Sequence, residues 1–544
     1  MEKLKIYVGL GREDVAYNQS DRFVIYVDKC FDHFDLAGKP NVTIIDILGC
    51  AWARGGEYKK WLMGAYRNCI EPELKDAVRQ NGKDVYPVFE NFLCFTTAFA
   101  KGIYRGLFVL EDIKEKCGNE TGQIEIYYRP AFYDAIKPLE SRRNIRLIKE
   151  GKEPFFRKPG VLTAYLLGAI AAKTVASLPA RILGRKPDSD EYSLMTGFSR
   201  EVDYKASDST ASVAAPLLIE DINIITSFHG LRLSLSNAIS DKSLYRFGGF
   251  GSLFRVLKWY LNGQRVWKTN KGRIRGIHYK DIDVTDYMKS IFDLYFKTNF
   301  ILTLETVELS KNFIDKMKPK AVHLSYFNNP YIPAFHLNRI GTGTKIISTQ
   351  YELVYPGSEY NLYNEPGFPS DLEYVWNEES KEVLVEYYGY SPQKIKVSGF
   401  SRGKAITKKA KAERIVFATQ DNLYPLIHFL EAVRRMEKAR AKKITIKPHP
   451  RHPMDPVNKA VRMFPDLDVE VMDPRSDLYS LLSETKVMVS FNSTVLVDSS
   501  YAGVRSIAYD VYGFGSPRAV LPKTTGIAFV DDASLDVLES ELSA

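Results

Sequence analysis

The sequence predicts an α/β protein of two doubly wound, parallel-sheet domains, with an inserted subdomain in the N-terminal half. Three observations predict it. Short β-branched runs alternate with helix-period runs at both ends of the chain. Several of these apolar runs stop at polar or hydroxyl-bearing residues and turn directly into a helical pattern, as at Lys447–Pro450 and Ser490–Thr494. Finally, 544 residues exceed what one hydrophobic core holds.

The chain opens with strand patterns at Lys5–Leu10, Arg22–Val27 and Val42–Leu48. Helical patterns follow at Glu57–Gln80 and Val88–Lys116, then a strand at Gln123–Tyr128. Between about 140 and 285 the alternation is lost, glycine, proline and serine accumulate, and the charge turns basic, which predicts the insertion. Alternation resumes with a helix at Asp286–Lys316, a strand at Ala321–Tyr326, a helix at Tyr331–Arg339 and a strand at Lys345–Thr349. Pro356, Gly357, Pro366, Gly367 and Pro369 then crowd a linker. The expected domains are therefore 1–355, a linker at 356–370, and 371–544. In the last, strands are expected at Tyr374–Trp376, Ile395–Val397, Ile415–Ala418, Ile444–Ile446, Val469–Met472, Val487–Ser490 and Ser506–Tyr509, with Glu378–Tyr388 as the first helix. Strand–helix–strand repetition of this kind gives parallel pairing.

Composition bounds the function. Hydrophobic content of 45% with 26% charged residues describes a folded chain and excludes a disordered one. The five cysteines all lie between Cys30 and Cys117 with no C-x-x-C pair, so reduced thiols are expected and no zinc site. The N-terminus runs straight into a strand with no signal-like apolar core, an expectation of cytoplasmic location. Val161–Leu183 is the most apolar window, but Lys173, Pro179 and Arg181 interrupt it, so a buried or interfacial helix is expected rather than a span. Leu244–Lys280 holds nine basic residues and no glutamate or aspartate, interleaved with Phe247, Phe250, Phe254, Trp259, Tyr260 and Trp267. That segment reads either as a solvated face or as a surface for anionic lipid or an anionic glycan. No nucleic-acid motif accompanies it, and no nucleic acid is expected as a partner.

The chemistry concentrates near the C-terminus. Lys447-Pro448-His449-Pro450 follows the Ile444–Ile446 run, and Ser490-Phe491-Asn492-Ser493-Thr494 follows Val487–Val489, with Asp498 one helical turn further. A strand that ends in hydroxyls and opens a helix leaves amide N–H groups aimed outward, a site suited to phosphate. An ordinary N-cap has the same geometry, worth about 1 kcal/mol. Asp473 and Asp477 flank a helix start and read as caps.

The pair K-P-H-P and S-F-N-S-T-V-L-V-D resembles the C-terminal domain of GT-B glycosyltransferases that build bacterial surface polysaccharides, the capsule-synthesis Kdo transferases, CDP-glycerol glycerophosphotransferases and bacterial sialyl- and polysialyltransferases. The resemblance covers about residues 370–520. Thr494 stands where those families have a second serine, and Asp498 where some have glutamate. The resemblance implies two Rossmann-like domains facing a cleft and a nucleotide-sugar donor, CMP-activated (CMP-Kdo or CMP-sialic acid) or a CDP-polyol. The acceptor would be a capsule or lipopolysaccharide glycan or a glycolipid, reached from the inner face of the plasma membrane. It implies donor phosphate at Lys447, His449, Pro450, Ser490, Asn492, Ser493 and Thr494, and the sugar or nucleotide at Asp498. It implies a Gly-x-x-Arg loop at Gly399–Arg402 whose Arg402 neutralises the leaving phosphate. The general base would come from the acceptor side: Glu13 or Asp14 after the first strand, Glu352, or His229. No cofactor is expected, the activated sugar being substrate, and the transfer is expected to be metal-independent. A UDP- or GDP-sugar transferase, a sugar-nucleotide 2-epimerase, and a non-catalytic glycan-binding subunit are the alternatives on the same fold.

Overall fold

The computed structural model describes residues 3–10, 12–27, 36, 39–74, 79–80, 83–84, 97–118, 120–130, 132–150, 159–178, 182, 190–197, 223–228, 243–298, 300–325, 331–350, 353–354, 370–387, 389–399, 414–420, 423–449, 454–513, 517–518, 521–523 and 526–543. The chain divides into two compact units. The first comprises Met1–Gly56, Tyr104–Gly151 and Arg402–Ala544, and the second Glu57–Ile103 and Lys152–Ser401.

The strands, in chain order, are β1 (Leu4–Val8), β2 (Arg22–Val27), β3 (Val42–Asp46), the short β4 (Arg79–Gln80) and β5 (Lys83–Asp84), β6 (Ile124–Tyr128) and β7 (Ile145–Lys149). Next come β8 (Glu191–Gly197), β9 (Asn223–Phe228), the short β10 (His278–Tyr279) and β11 (Ile282–Asp283), β12 (Ala321–Ser325), β13 (Lys345–Thr349), β14 (Leu372–Val375) and β15 (Ile395–Val397). The last are β16 (Arg414–Ala418), β17 (Ile444–Lys447), β18 (Val469–Val471), β19 (Thr485–Ser490), β20 (Arg505–Asp510) and β21 (Ala528–Asp531).

The first unit carries two parallel, Rossmann-like sheets. One runs β3-β2-β1-β6-β7, the other β18-β17-β16-β19-β20-β21. Each winds outward from its first strand in one direction and then in the other, the doubly wound order. Their strands are near-continuous apolar runs because helices cover both faces of a parallel sheet. In β16 and its neighbours Ile415 lies opposite Ile444 and Val487, and all three are buried.

The second unit carries a third parallel sheet, β15-β14-β13-β12-β8-β9. This corrects the expected boundary at 356–370. Glu373 to Val375 pair with Ile395 to Val397, and Ile347 to Thr349 pair with Leu372 to Tyr374, so 371–397 completes the middle sheet rather than opening the C-terminal one. The prolines and glycines at 356–369 lie outside the described residues. The expected insertion is also recast. Lys149 ends a strand of the first sheet, whereas β8 and β9 are paired strands of the middle one. Long intervening segments hid them, because periodicity reads elements and not pairings.

The helices Pro159–Ala176, Phe250–Asn270, Thr285–Lys297 and Phe300–Met317 complete the second unit. The expected single helix at 286–316 is two, parted at Thr298. Lys173, which broke the apolar window, is buried and pairs with Glu305 at 2.7 Å, its ammonium 4.5 Å from the Tyr245 ring centre. A charge counted against burial is thus neutralised inside the core. Among the described residues, no helix is long and apolar enough to cross a membrane.

His336 sits in the Tyr331–Arg339 helix at 2% exposure. Burial, helped by the Arg339 charge, pulls its pKa down to about 3. Its unfolded value is about 6.5. Between those values the unfolded chain takes up a proton that the folded chain refuses, so stability is lost as pH falls through that window. Urea unfolding of His336→Gln is expected to show a shallower loss of stability between about pH 7 and pH 5 than the parent protein.

Candidate functional site

In the C-terminal sheet the winding reverses between β16 and β19, the place in an open α/β sheet beyond whose carboxyl edge ligands bind. The conspicuous sequence motifs arrive there. β17 delivers Lys447-Pro448-His449, and β19 delivers Ser490 to Ser493. Thr419, just past β16, ties them together. Its N–H donates to the Lys447 carbonyl at 3.0 Å, and its hydroxyl accepts from the His449 N–H at 3.0 Å. The His449 side chain is half-buried at this edge. Thr419 was not among the expected site residues; a hydroxyl one residue beyond an apolar strand was the available signal.

The other expected phosphate ligands separate into two groups. Ser493 caps the Thr494–Tyr501 helix, its hydroxyl accepting from the Val495 N–H at 3.3 Å. Asn492, Ser493 and Thr494 are half-buried around that helix start, in reach of solvent. Ser490 and Lys447 face inward. The buried Ser490 hydroxyl donates to the Ala418 carbonyl at 2.8 Å, bracing β19 against β16. Lys447 donates to the carbonyls of Pro474 at 2.6 Å and Pro448 at 3.2 Å. Burial holds its pKa below the usual lysine value, against the raising influence of Asp473 and Asp477. These two residues brace the edge; the strand pattern marks their positions but not the inward direction of their side chains. Asp498 is buried on the Thr494–Tyr501 helix.

Asp477 caps a helix as expected, whereas Asp473 holds the turn before it. Asp473 accepts from the Arg475 N–H at 2.7 Å, and Asp477 from the Ser480 N–H at 2.7 Å at the start of Leu478–Glu484.

The N-terminal sheet reverses between β1 and β6. Glu13 and Asp14 lie there, exposed, in a single 3-10 turn at Arg12–Asp14. Gly9 launches that turn with φ +63°, and a Cβ at this position would overlap the Tyr133 ring.

The carboxyl edges of these two sheets meet within the first unit. Asp46, the last residue of β3, accepts the Tyr512 hydroxyl from beyond β20, and also the Gly49 N–H at 3.0 Å. Tyr512 stacks on Tyr424 with ring centres 5.6 Å apart and meets Phe491 edge-on at 5.1 Å. Tyr424 and Ile427, from the helix after β16, pack against the N-terminal cluster of Tyr7, Leu10, Val15 and Phe23. None of Asp46, Tyr424, Phe491 and Tyr512 was an expected site residue. Their signal, polar or aromatic groups one or two residues past apolar strands, is too common to single them out.

Glu352, Arg402, Pro450 and His229 lie outside the described residues, as do Arg451 and His452. Among the described residues there is no cluster of three or more His, Cys, Asp or Glu suited to a metal ion. Cys50, Cys69 and Cys117 are free thiols, and burial pushes the Cys117 thiol up to about 11.

No protein-family model matches the chain, and no curated protein matches it. Solved structures of distant sequence show a partial likeness. A glycosyltransferase from Rickettsia africae ESF-5 is 14% identical, covering 65% of this chain and 87% of its own, with a TM-score of 0.37. The UDP-GlcNAc 2-epimerase of Methanocaldococcus jannaschii, solved with UDP-GlcNAc and UDP, is 13% identical over 65% of this chain and 91% of its own, at 0.38. MurG from Acinetobacter baumannii is 11% identical over 64% and 89%, at 0.37. TarM is 13% identical over 43% of this chain, which spans only 50% of TarM, at 0.32. The architecture given above rests on strand pairing and not on these low-scoring likenesses.

The junction of the two edges is directly testable. A Cβ at Gly49 would overlap the Tyr512 hydroxyl and the Asp46 carboxylate. Gly49→Ala is expected to destabilise the protein by about 1–3 kcal/mol in urea unfolding. In a Tyr512→Ala background the same change is expected to cost less, since most of the overlap is gone, and a double-mutant cycle measures the difference.

Proposed function

We propose that this chain is a metal-independent GT-B glycosyltransferase that moves a sugar from a nucleotide donor, CMP-activated or a CDP-polyol, to a surface glycan or glycolipid. The observation that carries the reading is the meeting of two doubly wound carboxyl edges in one unit, one bearing His449 and the Ser493-capped helix, the other bearing Glu13 and Asp14. Ligands of open α/β sheets bind at such edges.

In this reading the donor phosphate lies against the amide N–H groups at the start of the Thr494–Tyr501 helix and within reach of His449 and Asn492. Arg402 adds charge to the leaving phosphate. Lys447 and Ser490 hold the strands that carry these groups. With a CMP-sugar donor, the acceptor hydroxyl oxygen forms a bond to the anomeric carbon while its proton passes to the carboxylate of Glu13 or Asp14. The bond from that carbon to the phosphate oxygen breaks, and the nucleotide leaves with the electron pair; with a CDP-polyol the acceptor oxygen bonds instead to the outer phosphorus, and CMP leaves with the pair of the broken P–O bond.

A thermal-shift screen of CMP, CDP, UDP and GDP tests the donor class, because a ligand that binds only the folded state raises the melting temperature. Cytidine nucleotides are expected to give the largest shift; a shift from UDP or GDP alone would transfer the reading to those donors. His449→Ala is expected to keep the fold and weaken nucleotide binding roughly 10- to 150-fold, the loss of a charge-assisted contact of about 1.5–3 kcal/mol. Unchanged affinity and turnover would remove His449 from the site. Of Glu13→Gln and Asp14→Asn, one is expected to abolish transfer while sparing nucleotide affinity. Transfer is expected to persist in EDTA, measured as product formed with and without added magnesium.

A further inference from the structure

The Phe250–Asn270 helix is 21 residues long and contains four basic residues and no acid. Its inner face is fully committed. Val256, Tyr260, Gly263 and Trp267 are buried, with Trp267 stacked 4.9 Å from Phe296 and its indole N–H donating to Asp293 at 3.0 Å. Much of the aromatic content that alternates with basic residues in the sequence is therefore core.

The opposite face is different. Phe250, Phe254 and Leu261 are 50%, 70% and 65% exposed. At 100° per residue they fall with Lys258, Arg265 and Lys268 into a stripe about 80° wide. Those three cations are exposed. Of the basic residues between 244 and 280, Arg255 pairs with Glu308, Lys271 with Asp293, Arg273 with Glu73 and Lys280 with Glu57. Among the described residues, Lys258, Arg265 and Lys268 have no ion-pair partner, so the stripe keeps its positive charge.

We propose that this stripe seats the second unit on an anionic lipid surface, with Phe250, Phe254 and Leu261 among the acyl-chain ends and Lys258, Arg265 and Lys268 at the headgroups. The chemistry favours lipid over protein. Apolar and cationic groups share one narrow stripe, Phe250 and Phe254 towards its start and Arg265 and Lys268 towards its end, which suits a boundary between hydrocarbon and headgroups. A second copy of the helix would set cations against cations. The proposal stands independently of the transferase reading, since no residue of the stripe belongs to the first unit.

The test is co-sedimentation of the whole protein with vesicles of phosphatidylcholine, alone or with about one-third phosphatidylglycerol, at roughly 0.05 M and 0.5 M salt. Binding is expected only with phosphatidylglycerol, and weaker at high salt. Lys258→Gln/Arg265→Gln/Lys268→Gln is expected to weaken it roughly a hundredfold. Phe250→Ser/Phe254→Ser/Leu261→Ser is expected to abolish the binding that survives high salt. Because both triple variants alter solvent-exposed groups, their melting temperatures are expected to match the parent, which separates lost binding from lost folding. The proposal fails if the parent ignores phosphatidylglycerol vesicles at low salt, or if the charge variant binds them like the parent. It also fails if the parent prefers single-stranded RNA of matched charge to the vesicles.

Discussion

One hydrogen bond organises the first unit: the Tyr512 hydroxyl on the Asp46 carboxylate. Asp46 ends a strand of one sheet, and Tyr512 follows a strand of the other, 466 residues later. A buried carboxylate is costly unless it is hydrogen-bonded. Here the Tyr512 hydroxyl and the Gly49 amide both serve it. The arrangement requires a glycine at 49, since the tyrosine occupies the space of a Cβ. Phe491 and Tyr424 then enclose Tyr512, and the Tyr424 helix seals the seam against Tyr7 and Phe23. The carboxyl edges of both sheets, with His449 on one and Glu13 on the other, are oriented by this contact.

Around His449 the same division of labour recurs at shorter range. Groups that look like ligands in a linear motif are partly structural. Lys447 spends its protons on two loop carbonyls and Ser490 its hydroxyl on β16, which leaves His449, Asn492 and Thr494 nearer to solvent. A charged ligand gains most from donors already held in place by such bracing.

Much of this was legible beforehand. The runs at Arg22–Val27, Lys345–Thr349 and Ile395–Val397 are strands with the expected bounds, and in the first of them Phe23 to Val27 are all buried, as burial on both sides of a parallel sheet demands. Partnership was not legible. Leu372–Val375 and Arg414–Ala418 read alike, yet belong to different sheets, since a strand pattern carries no record of its neighbour. The basic segment shows the same limit. Its nine cations are equal in the sequence, while folding pairs Arg255 with Glu308 and leaves Lys258 exposed. At the site, motif positions were readable and side-chain directions were not, which is why Thr419 and Asp46 escaped and Lys447 was given a ligand's role.

The first unit is assembled from three separate stretches, with Lys152–Ser401 belonging wholly to the second. Synthesis therefore imposes a wait. When Gly151 leaves the ribosome the N-terminal sheet has all five strands, but Asp46 has no Tyr512 and Tyr7 no Tyr424. Roughly 250 residues must follow before the C-terminal stretch begins, about 12–50 s at ordinary elongation rates. During that interval the aromatic edge of the first sheet lies open, a binding surface for chaperones and a hazard for aggregation that the finished protein no longer displays.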